Sequence, residues 1–310
     1  MKHTRLRLLS LMACFLVSAG AVAAQTVQNS PPLLRVYTSG GKAASVDDII
    51  TAMGAAQVVF IGETHDDPAA HWSELQLLQG AYIRYGASRA DDSRSVILSL
   101  EMFERDTQPV LDEYLAGLIT ERHFLAASRP WKNYEADYRP LVEFARTHKL
   151  PVVASNAPER YVNRAGRLGR ESLLELNAAA RMWLAPLPYA QASAGYAAKF
   201  KRLMSGGMTA TGAHGSPFLL DAQALRDATM AYSVAEQLRA SARALVIHVN
   251  GNFHSEGGLG APEHLRTYRA GTRTLVVTII PHKLAPPVDA HGLKDLGDFV
   301  IITGLAAAAT

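Results

Sequence analysis

The fold is indicated first by the stretch VVFIGETHDDPAAH, residues 58–71. Its apolar, β-branched half stops at Gly62, and the carboxylate of Glu63 and the imidazole of His65 follow at once. Asp67 and Pro68 then predict the start of a helix, because Asp caps helix N-termini and Pro suits the first helical position. A buried strand that turns directly into a helix predicts an α/β protein with polar side chains at the turn.

Similar apolar runs recur along the chain and alternate with helical patterns. Several runs are continuous rather than alternating, which is typical of strands buried on both faces of a parallel sheet. Helical spacing is evident at 71–85, 139–149 and 221–240. We therefore predict an α/β fold with a mostly parallel central sheet flanked by helices, its strands lying at 57–62, 95–101, 150–155, 244–251, 274–280 and, least clearly, 298–303.

The predicted domain organisation is simple. A polar, turn-rich lead-in at 25–45 precedes one α/β domain at 46–305. Residues 157–240 carry no strand pattern and are rich in Ala, Leu and Arg, with a glycine-rich stretch at 205–215. This predicts a smaller helical insertion or cap over the sheet, centred on about 160–230.

Residues 1–24 resemble a secretory signal peptide. Lys2, Arg5 and Arg7 precede an apolar stretch that ends in small residues, so we expect cleavage near residues 24–25 and a periplasmic protein. An alternative is lipid attachment at Cys14, which would anchor the protein to the envelope. A retained membrane anchor is less well supported, because the apolar stretch is short.

Composition excludes several classes of function. Of the 310 residues, 48% are hydrophobic and 19% charged, which suits a packed globular protein. The net charge of +3 equals the three positive charges of the leader, so the mature chain is near neutral and nucleic acid is not an expected partner. Cys14 is the only cysteine, which excludes disulfides, thiolate metal sites and a cysteine nucleophile in the mature form.

Polar side chains gather where the predicted strands end. In parallel sheets, ligands bind outside the carboxyl ends of the strands. Four strand ends would deliver acids, imidazoles and amides to one edge: Glu63 and His65; Glu101 and Glu104; Asn156; and Asn250, Asn252 and His254. This convergence predicts a site, although a lone loop histidine is more often structural and a strand-end glutamate often caps the next helix.

Two of these ends share a G-x-x-H pattern, Gly62 to His65 and Gly251 to His254. Glycine permits a tight turn or a close backbone approach. A neutral imidazole is a metal ligand or general base, and a nearby glutamate can orient it, activate water or bind a cation. Motifs of other chemistries are missing from the sequence: it has no G-x-S-x-G, P-loop or H-E-x-x-H motif, and GGLGAPEH at 257–264 lacks the third glycine of the dinucleotide fingerprint.

Six motifs in order resemble the ChaN-like haem-binding uptake proteins of the Tiki superfamily. The resemblance spans roughly residues 57–280 and is carried by GETHDDPAAH (62–71), EMFERDTQ (101–108), WKNYEADYRPLVEFAR (131–146), VVASNAP (152–158), QALRDATMA (223–231) and GNFHSEGGLGAP (251–262). It implies an exported, often lipid-anchored protein of haem or iron uptake, with haem held between two protomers. Relatives elsewhere in the superfamily are metal-dependent proteases, and the positions shared with them here are Glu63, His65, Glu101 and His254.

Haem needs an axial ligand, an apolar wall and cations for its propionates, and tyrosinate is one known axial ligand. Tyr138 is the preferred candidate, with Tyr134 beside it and Arg139 as the cation, although a tyrosine at a helix start is more often a packing residue. Tyr161 and Tyr196 are further options. His65, His71 or His254 could bind the iron instead, or hydrogen-bond to a tyrosinate.

Three hypotheses follow from the sequence. The leading one is an exported, dimeric haem-binding protein that works with haem uptake or transport components. The second is a divalent-metal hydrolase in which Glu63 activates water while His65 and His254 hold the ion. The third is an envelope protein whose site residues are vestigial. The first two require His65 and His254 to come within reach of a common ligand.

Overall fold

A computed structural model describes residues 32–87, 93–205 and 217–304. The predicted signal peptide with Cys14 and nearly all of the glycine-rich stretch at 205–215 lie outside the described residues. The described residues fall in one unit, Pro32–Thr310. No helix within the described ranges is long and apolar enough to cross a membrane.

One eight-stranded sheet forms the centre of the protein. Its strands are β1 Arg35–Thr38, β2 Ala43–Ala44, β3 Val58–Glu63, β4 Val96–Glu104, β5 Val152–Asn156, β6 Leu245–Gly251, β7 Thr274–Pro281 and β8 Phe299–Thr303. They are arranged in the order β2-β1-β8-β7-β3-β6-β4-β5. The six strands from β8 to β5 pair in parallel, and only the edge strands β1 and β2 are antiparallel.

The α-helices of the described residues pack on both faces of this sheet. They are α1 Val46–Ala52, α2 Pro68–Ala81, α3 Gln108–Leu115, α4 Glu121–Ser128, α5 Arg139–Thr147, α6 Glu159–Leu168, α7 Ala178–Arg181, α8 Ala194–Ser205, α9 Leu219–Ala240, α10 Ala261–Tyr268 and α11 Ala290–Leu293. Successive residues of β3 point to opposite faces. Val59 and Ile61 pack with Leu77 of α2, whereas Val58 and Phe60 pack with Val234 of α9.

The predicted fold class is confirmed, and strands occur at all six predicted places. The predicted start of α2 is also found: the Asp67 side chain accepts a hydrogen bond from the Ala69 amide at 3.0 Å, and Pro68 is the first helical residue. The α-helix ends at Ala81 and a π-helical turn at Tyr82–Gly86 follows, so the predicted helix at 71–85 is not one regular helix.

Two details differ from the prediction. The second predicted strand continues past Glu101 to Glu104, so Glu101 lies within β4 rather than beyond its end. The lead-in at 25–45 contains β1 and β2, which extend the sheet at the β8 edge. Between residues 157 and 240, the described part is helical and irregular, without a strand. The domain limits of 46–305 and of the insertion stay predictions.

Candidate functional site

The site begins with the pairing of two neighbouring parallel strands. β3 and β6 lie side by side in the centre of the sheet, and their register sets Gly62 opposite Asn250 and Glu63 opposite Gly251. The chain leaves both strands at the same edge, because parallel strands share their carboxyl ends. The two G-x-x-H segments therefore come together in space although they are distant in sequence.

Glu63 is the centre of the first group of contacts. Its Oε1 atom lies 2.8 Å from Nδ1 of His65 and accepts a short hydrogen bond from the hydroxyl of Tyr138. Its other oxygen lies 3.1 Å from Nδ1 of His71. Burial raises the pKa of Glu63, but the hydrogen bond from His65 and the neighbouring imidazole of His71 outweigh burial and lower it. Glu63 is thus a buried carboxylate that remains ionised and fixes the His65 ring.

His71 and Glu74 lie behind Glu63 on the first turns of α2. Nδ1 of His71 is 3.1 Å from Oε2 of Glu74, and its Nε2 is 3.1 Å from the carbonyl oxygen of His65. Burial lowers the pKa of His71, but the Glu63 and Glu74 carboxylates outweigh it and raise the pKa to about 11. Burial and the charge of Glu63 raise the pKa of Glu74 well above its usual value. The two facing carboxyl groups therefore do not both carry a free negative charge.

A second group of contacts surrounds His254. Its Nδ1 lies 2.8 Å from Oδ1 of Asp227 on α9, and its Nε2 lies 3.4 Å from Oε1 of Glu101. The Gly251 amide donates to the other oxygen of Glu101 at 2.7 Å. Burial lowers the pKa of His254, but the Glu101 and Asp227 carboxylates outweigh it and raise the pKa. His254 is therefore a buried imidazole held between two carboxylates.

His65 connects the two groups and faces solvent. A β-carbon placed on Gly251 would lie 2.7 Å from both Cε1 and Nε2 of His65, and 3.7 Å from Oε2 of Glu101. The His65 ring thus lies against Gly251, next to Glu101. Its side chain is 46% exposed, and the ring of Trp131 meets it edge-on at 4.5 Å between centroids. Burial lowers the pKa of His65, but Glu63 and Glu101 together raise it.

The structure brings all four predicted metal ligands to one edge but divides them into two pairs, Glu63 with His65 and Glu101 with His254. Within the described residues, one set of three acid or imidazole side chains has donor atoms that all lie within 4.8 Å of one another. That set consists of Glu63, His71 and Glu74. His71 was predicted as a haem residue, and Glu74 was not predicted at all.

The predicted haem tyrosines are buried. Tyr138 is 1% exposed, and its hydroxyl is engaged by Glu63. Burial, together with the charge of Glu63, raises its pKa, which opposes formation of a tyrosinate. Tyr134 packs beside Phe103 and Phe124, where burial likewise raises its pKa. An axial role for either tyrosine stays a prediction that this arrangement does not favour.

The remaining candidates lie around the edge. Arg139 pairs through two nitrogens with Glu121 on the protein surface. Tyr161 is partly buried and stacks under Arg160, whereas Tyr196 is buried against Phe253. Among the described residues, no hydrogen bond, ion pair or ring contact links any of these side chains to His65.

The asparagine side chains predicted at the strand ends form hydrogen bonds that hold the following loops in place. Asn156 accepts a hydrogen bond from the Ala157 amide at 2.9 Å. The Asn250 amide donates to Ser255 Oγ at 2.9 Å, and the Asn252 amide donates to the Ile279 carbonyl at 2.8 Å. These contacts shape the loop after β6, which positions His254.

Two site residues were missed from the sequence. Glu74 could have been found from its spacing, because it lies three residues after His71 on a predicted helix and therefore on the same helical face. Asp227 lies in the QALRDATMA motif, but an acid on a helix gives no indication of which loop it faces. Its contact with His254 is visible only when α9 packs against the sheet.

Comparison with known proteins gives one family. Residues 49–265, most of the chain, match the family described as haem-binding uptake, Tiki superfamily, ChaN. No curated protein matches the sequence.

One solved structure shares the fold of this chain. The chain resembles a structure described as cofacial haem binding to ChaN of Campylobacter jejuni, with 17% identity, a TM-score of 0.62, and coverage of 88% of this chain and 97% of that one. A Bacillus cereus protein matches with 12% identity, a TM-score of 0.47, and coverage of 88% and 94%. An erythromycin esterase, EreC, matches with 14% identity, a TM-score of 0.44, and coverage of 90% and 84%. The last two likenesses are too weak to support an argument about function.

Proposed function

This chain belongs to the haem-binding uptake family of the Tiki superfamily that includes ChaN, and we propose that it binds haem at the carboxyl edge of its sheet, against His65 and Trp131. The observation that carries the proposal is the exposure of His65 among otherwise buried acid and imidazole groups. When bound, haem supplies an iron centre and a conjugated macrocycle, and the residues at this edge bind and orient them.

The residues at this edge fit a haem. Glu63 engages Nδ1 of His65, so Nε2 is the nitrogen of this ring that would bind a ligand. Trp131 meets the same ring edge-on and is only partly buried, so it offers an apolar surface beside the imidazole. Lys132 is exposed next to Trp131 and provides a cation suited to a propionate.

Titration of ferric haem into the purified protein tests the proposal. We expect a saturable Soret shift with a fixed stoichiometry, and we expect His65→Ala to weaken binding at least tenfold. His123→Ala is the matched control, because His123 is also exposed but lies on α4. A wild-type protein that forms no stoichiometric complex at micromolar haem would overturn the proposal, as would a His65→Ala variant that binds like wild type.

A second candidate function is metal-dependent hydrolysis. It is supported by Glu63 and Glu101, whose pKa values are both lowered, so that both carboxylates stay ionised beside two imidazoles and could hold a cation. In Glu63, burial is outweighed by the hydrogen bond from His65 and the neighbouring imidazole of His71. In Glu101, burial is outweighed by the charges of His254 and His65. A peptidase and esterase screen with Mn²⁺, Co²⁺ and Zn²⁺ tests this function. Activity that persists in a Glu63→Gln, His65→Ala double variant would exclude this site.

We further propose that the protein is exported, and that it dimerises when it holds haem and passes haem to uptake or transport components. The signal-like sequence at 1–24 supports export, and the ChaN structure described as binding haem cofacially supports a paired arrangement. Mass spectrometry of the mature N-terminus distinguishes cleavage near residues 24–25 from lipid attachment at Cys14. Sedimentation with and without haem tests dimerisation, and a monomer in both conditions would contradict it.

A further inference from the structure

Behind His65, three buried side chains converge on a small volume. Glu63 comes from the end of β3, and His71 and Glu74 come from the first turns of α2. They are at most 4% exposed. Nδ1 of His71 lies 3.1 Å from Oε2 of Glu63 and 3.1 Å from Oε2 of Glu74. The two carboxyl groups therefore approach the same imidazole nitrogen.

These three groups contain too few protons to satisfy their oxygens. A single hydrogen on Nδ1 of His71 cannot serve both carboxylates fully. Glu63 Oε2 and Glu74 Oε1 accept no hydrogen bond from the described residues, and the contact of Glu63 Oε2 with Nδ1 is an ion pair only. Buried carboxylate oxygens without donors are costly, so a further positive species near them would stabilise the cluster. That species is either a further proton or a metal ion.

The surroundings resemble those of a metal ligand set. Nε2 of His71 is 3.1 Å from the His65 carbonyl oxygen, the arrangement in which a ligating imidazole donates its second N–H to a backbone carbonyl. The other carboxylate oxygen of Glu63, Oε1, already contacts His65 and accepts a hydrogen bond from Tyr138. Ligand atoms about 2.0–2.1 Å from a tetrahedral ion are roughly 3.3 Å apart, close to the 3.1 Å separations found here.

We propose that Glu63, His71 and Glu74 form a buried site for a divalent transition-metal ion such as Zn²⁺ or Mn²⁺. Two carboxylates and one imidazole suit such ions. The site differs from the pairs that were predicted to bind metal, because it excludes Glu101 and His254. One carboxylate oxygen of Glu63 would bind the ion, and its other oxygen contacts His65. The ion would therefore fix the orientation of His65.

The proposal does not depend on haem binding, so it is tested on haem-free, full-chain protein. The protein is stripped with a chelator and titrated with Zn²⁺ or Mn²⁺, and bound metal is measured by equilibrium dialysis and elemental analysis. We expect one ion per chain in the wild type. We also expect the infrared carbonyl band of a buried protonated carboxyl group in the stripped protein, and its loss when metal is added.

Two variants locate the ion. Glu74→Gln keeps the volume of the side chain and imitates its protonated form, so it should fold with an unchanged circular dichroism spectrum yet bind metal at least tenfold more weakly. Glu101→Gln is the matched control, because it also alters a buried glutamate of this edge, and it should retain the ion. The proposal is overturned if the wild type binds no ion or if Glu74→Gln binds the ion as tightly as the wild type. It is also overturned if Glu101→Gln loses the ion while Glu74→Gln keeps it.

Discussion

Gly251 matters to the site because it has no side chain, which leaves room for the His65 ring; its backbone conformation does not require glycine. Its φ of −59° is accessible to any residue, so the glycine is not needed for the turn. A β-carbon at this position would instead lie 2.7 Å from the His65 ring. The glycine of the second G-x-x-H segment therefore accommodates the histidine of the first.

We predict that Gly251→Ala displaces the His65 ring and weakens haem binding about tenfold, or about 1.4 kcal/mol. The melting temperature should change little, because the obstructed group is the end of a partly exposed side chain. Gly40→Ala is the control, since the nearest atom to its added carbon is 3.7 Å away. Equal haem affinities in wild type and Gly251→Ala would show that the ring position does not matter.

Substitution of Tyr138 distinguishes a structural hydrogen-bonding role of this tyrosine from a role as the iron ligand. Tyr138→Phe removes the hydrogen bond to Glu63, so we expect the free energy of unfolding to fall by about 1–2 kcal/mol. Because its hydroxyl is already engaged, the Soret maximum of the haem complex should stay where it is in the wild type. Absorption spectra and denaturant unfolding measure both effects. A Soret maximum that moves in Tyr138→Phe would contradict this purely structural role of the hydroxyl.

His248 on β6 supplies a pH prediction. It is fully buried beside Phe60 and 2.9 Å from Ser99 Oγ, and burial lowers its pKa to about 4 despite the Glu101 charge. Between pH 6.5 and 4 the unfolded chain takes up a proton on this histidine and the folded chain does not. His248 therefore makes stability fall as the pH falls, by about 1 kcal/mol per pH unit and at most about 3 kcal/mol.

Denaturant unfolding of His248→Gln at several pH values between 4 and 7 measures this contribution. The variant should lose less stability on acidification than the wild type does. His123→Gln, an exposed histidine on α4, should behave like the wild type. Identical pH slopes for wild type and His248→Gln would contradict the assignment.

At the scale of the elements, the sequence pattern was sufficient for the buried strands and not for the edges. β3 and β6 are buried at every residue, which is why their apolar runs are continuous and easily recognised. β1 and β2 have four and two residues, too few for a periodic pattern to emerge within a polar segment. The continuation of β4 through Met102, Phe103 and Glu104 was not recognised because the acidic Glu101 interrupts the apolar run.

Strand β5 forms the other edge of the sheet, and Gln108 covers it. The Gln108 side chain donates to the Val152 carbonyl at 2.9 Å and accepts from the Ala154 amide at 2.7 Å, as a neighbouring strand would. We predict that Gln108→Ala lowers the free energy of unfolding by about 1–2 kcal/mol and leaves haem affinity unchanged. Gln76→Ala, on the partly buried face of α2, is the control. A Gln108→Ala variant as stable as the control would show that this cover is dispensable.

At the scale of the whole molecule, the sequence could predict which residues reach the functional edge but not how they pair. Glu63, His65 and His254 end or follow buried strands, Glu101 lies near the end of another, and parallel strands end together. The local sequence pattern does not reveal the order of strands in the sheet. The contact of His65 with Gly251 therefore could not be predicted, nor could the separation of the acids into two groups. Asp227 and Glu74 depend on helix docking, which only the packed core defines.

Haem binding at the edge formed by His65 and Trp131 is the proposal on which the predicted function depends. The most direct measurement is a crystal structure of the haem complex with the iron located by anomalous scattering. We expect an iron position beside the His65 imidazole with the macrocycle against Trp131. An iron position away from this edge, on another face of the protein, would contradict it.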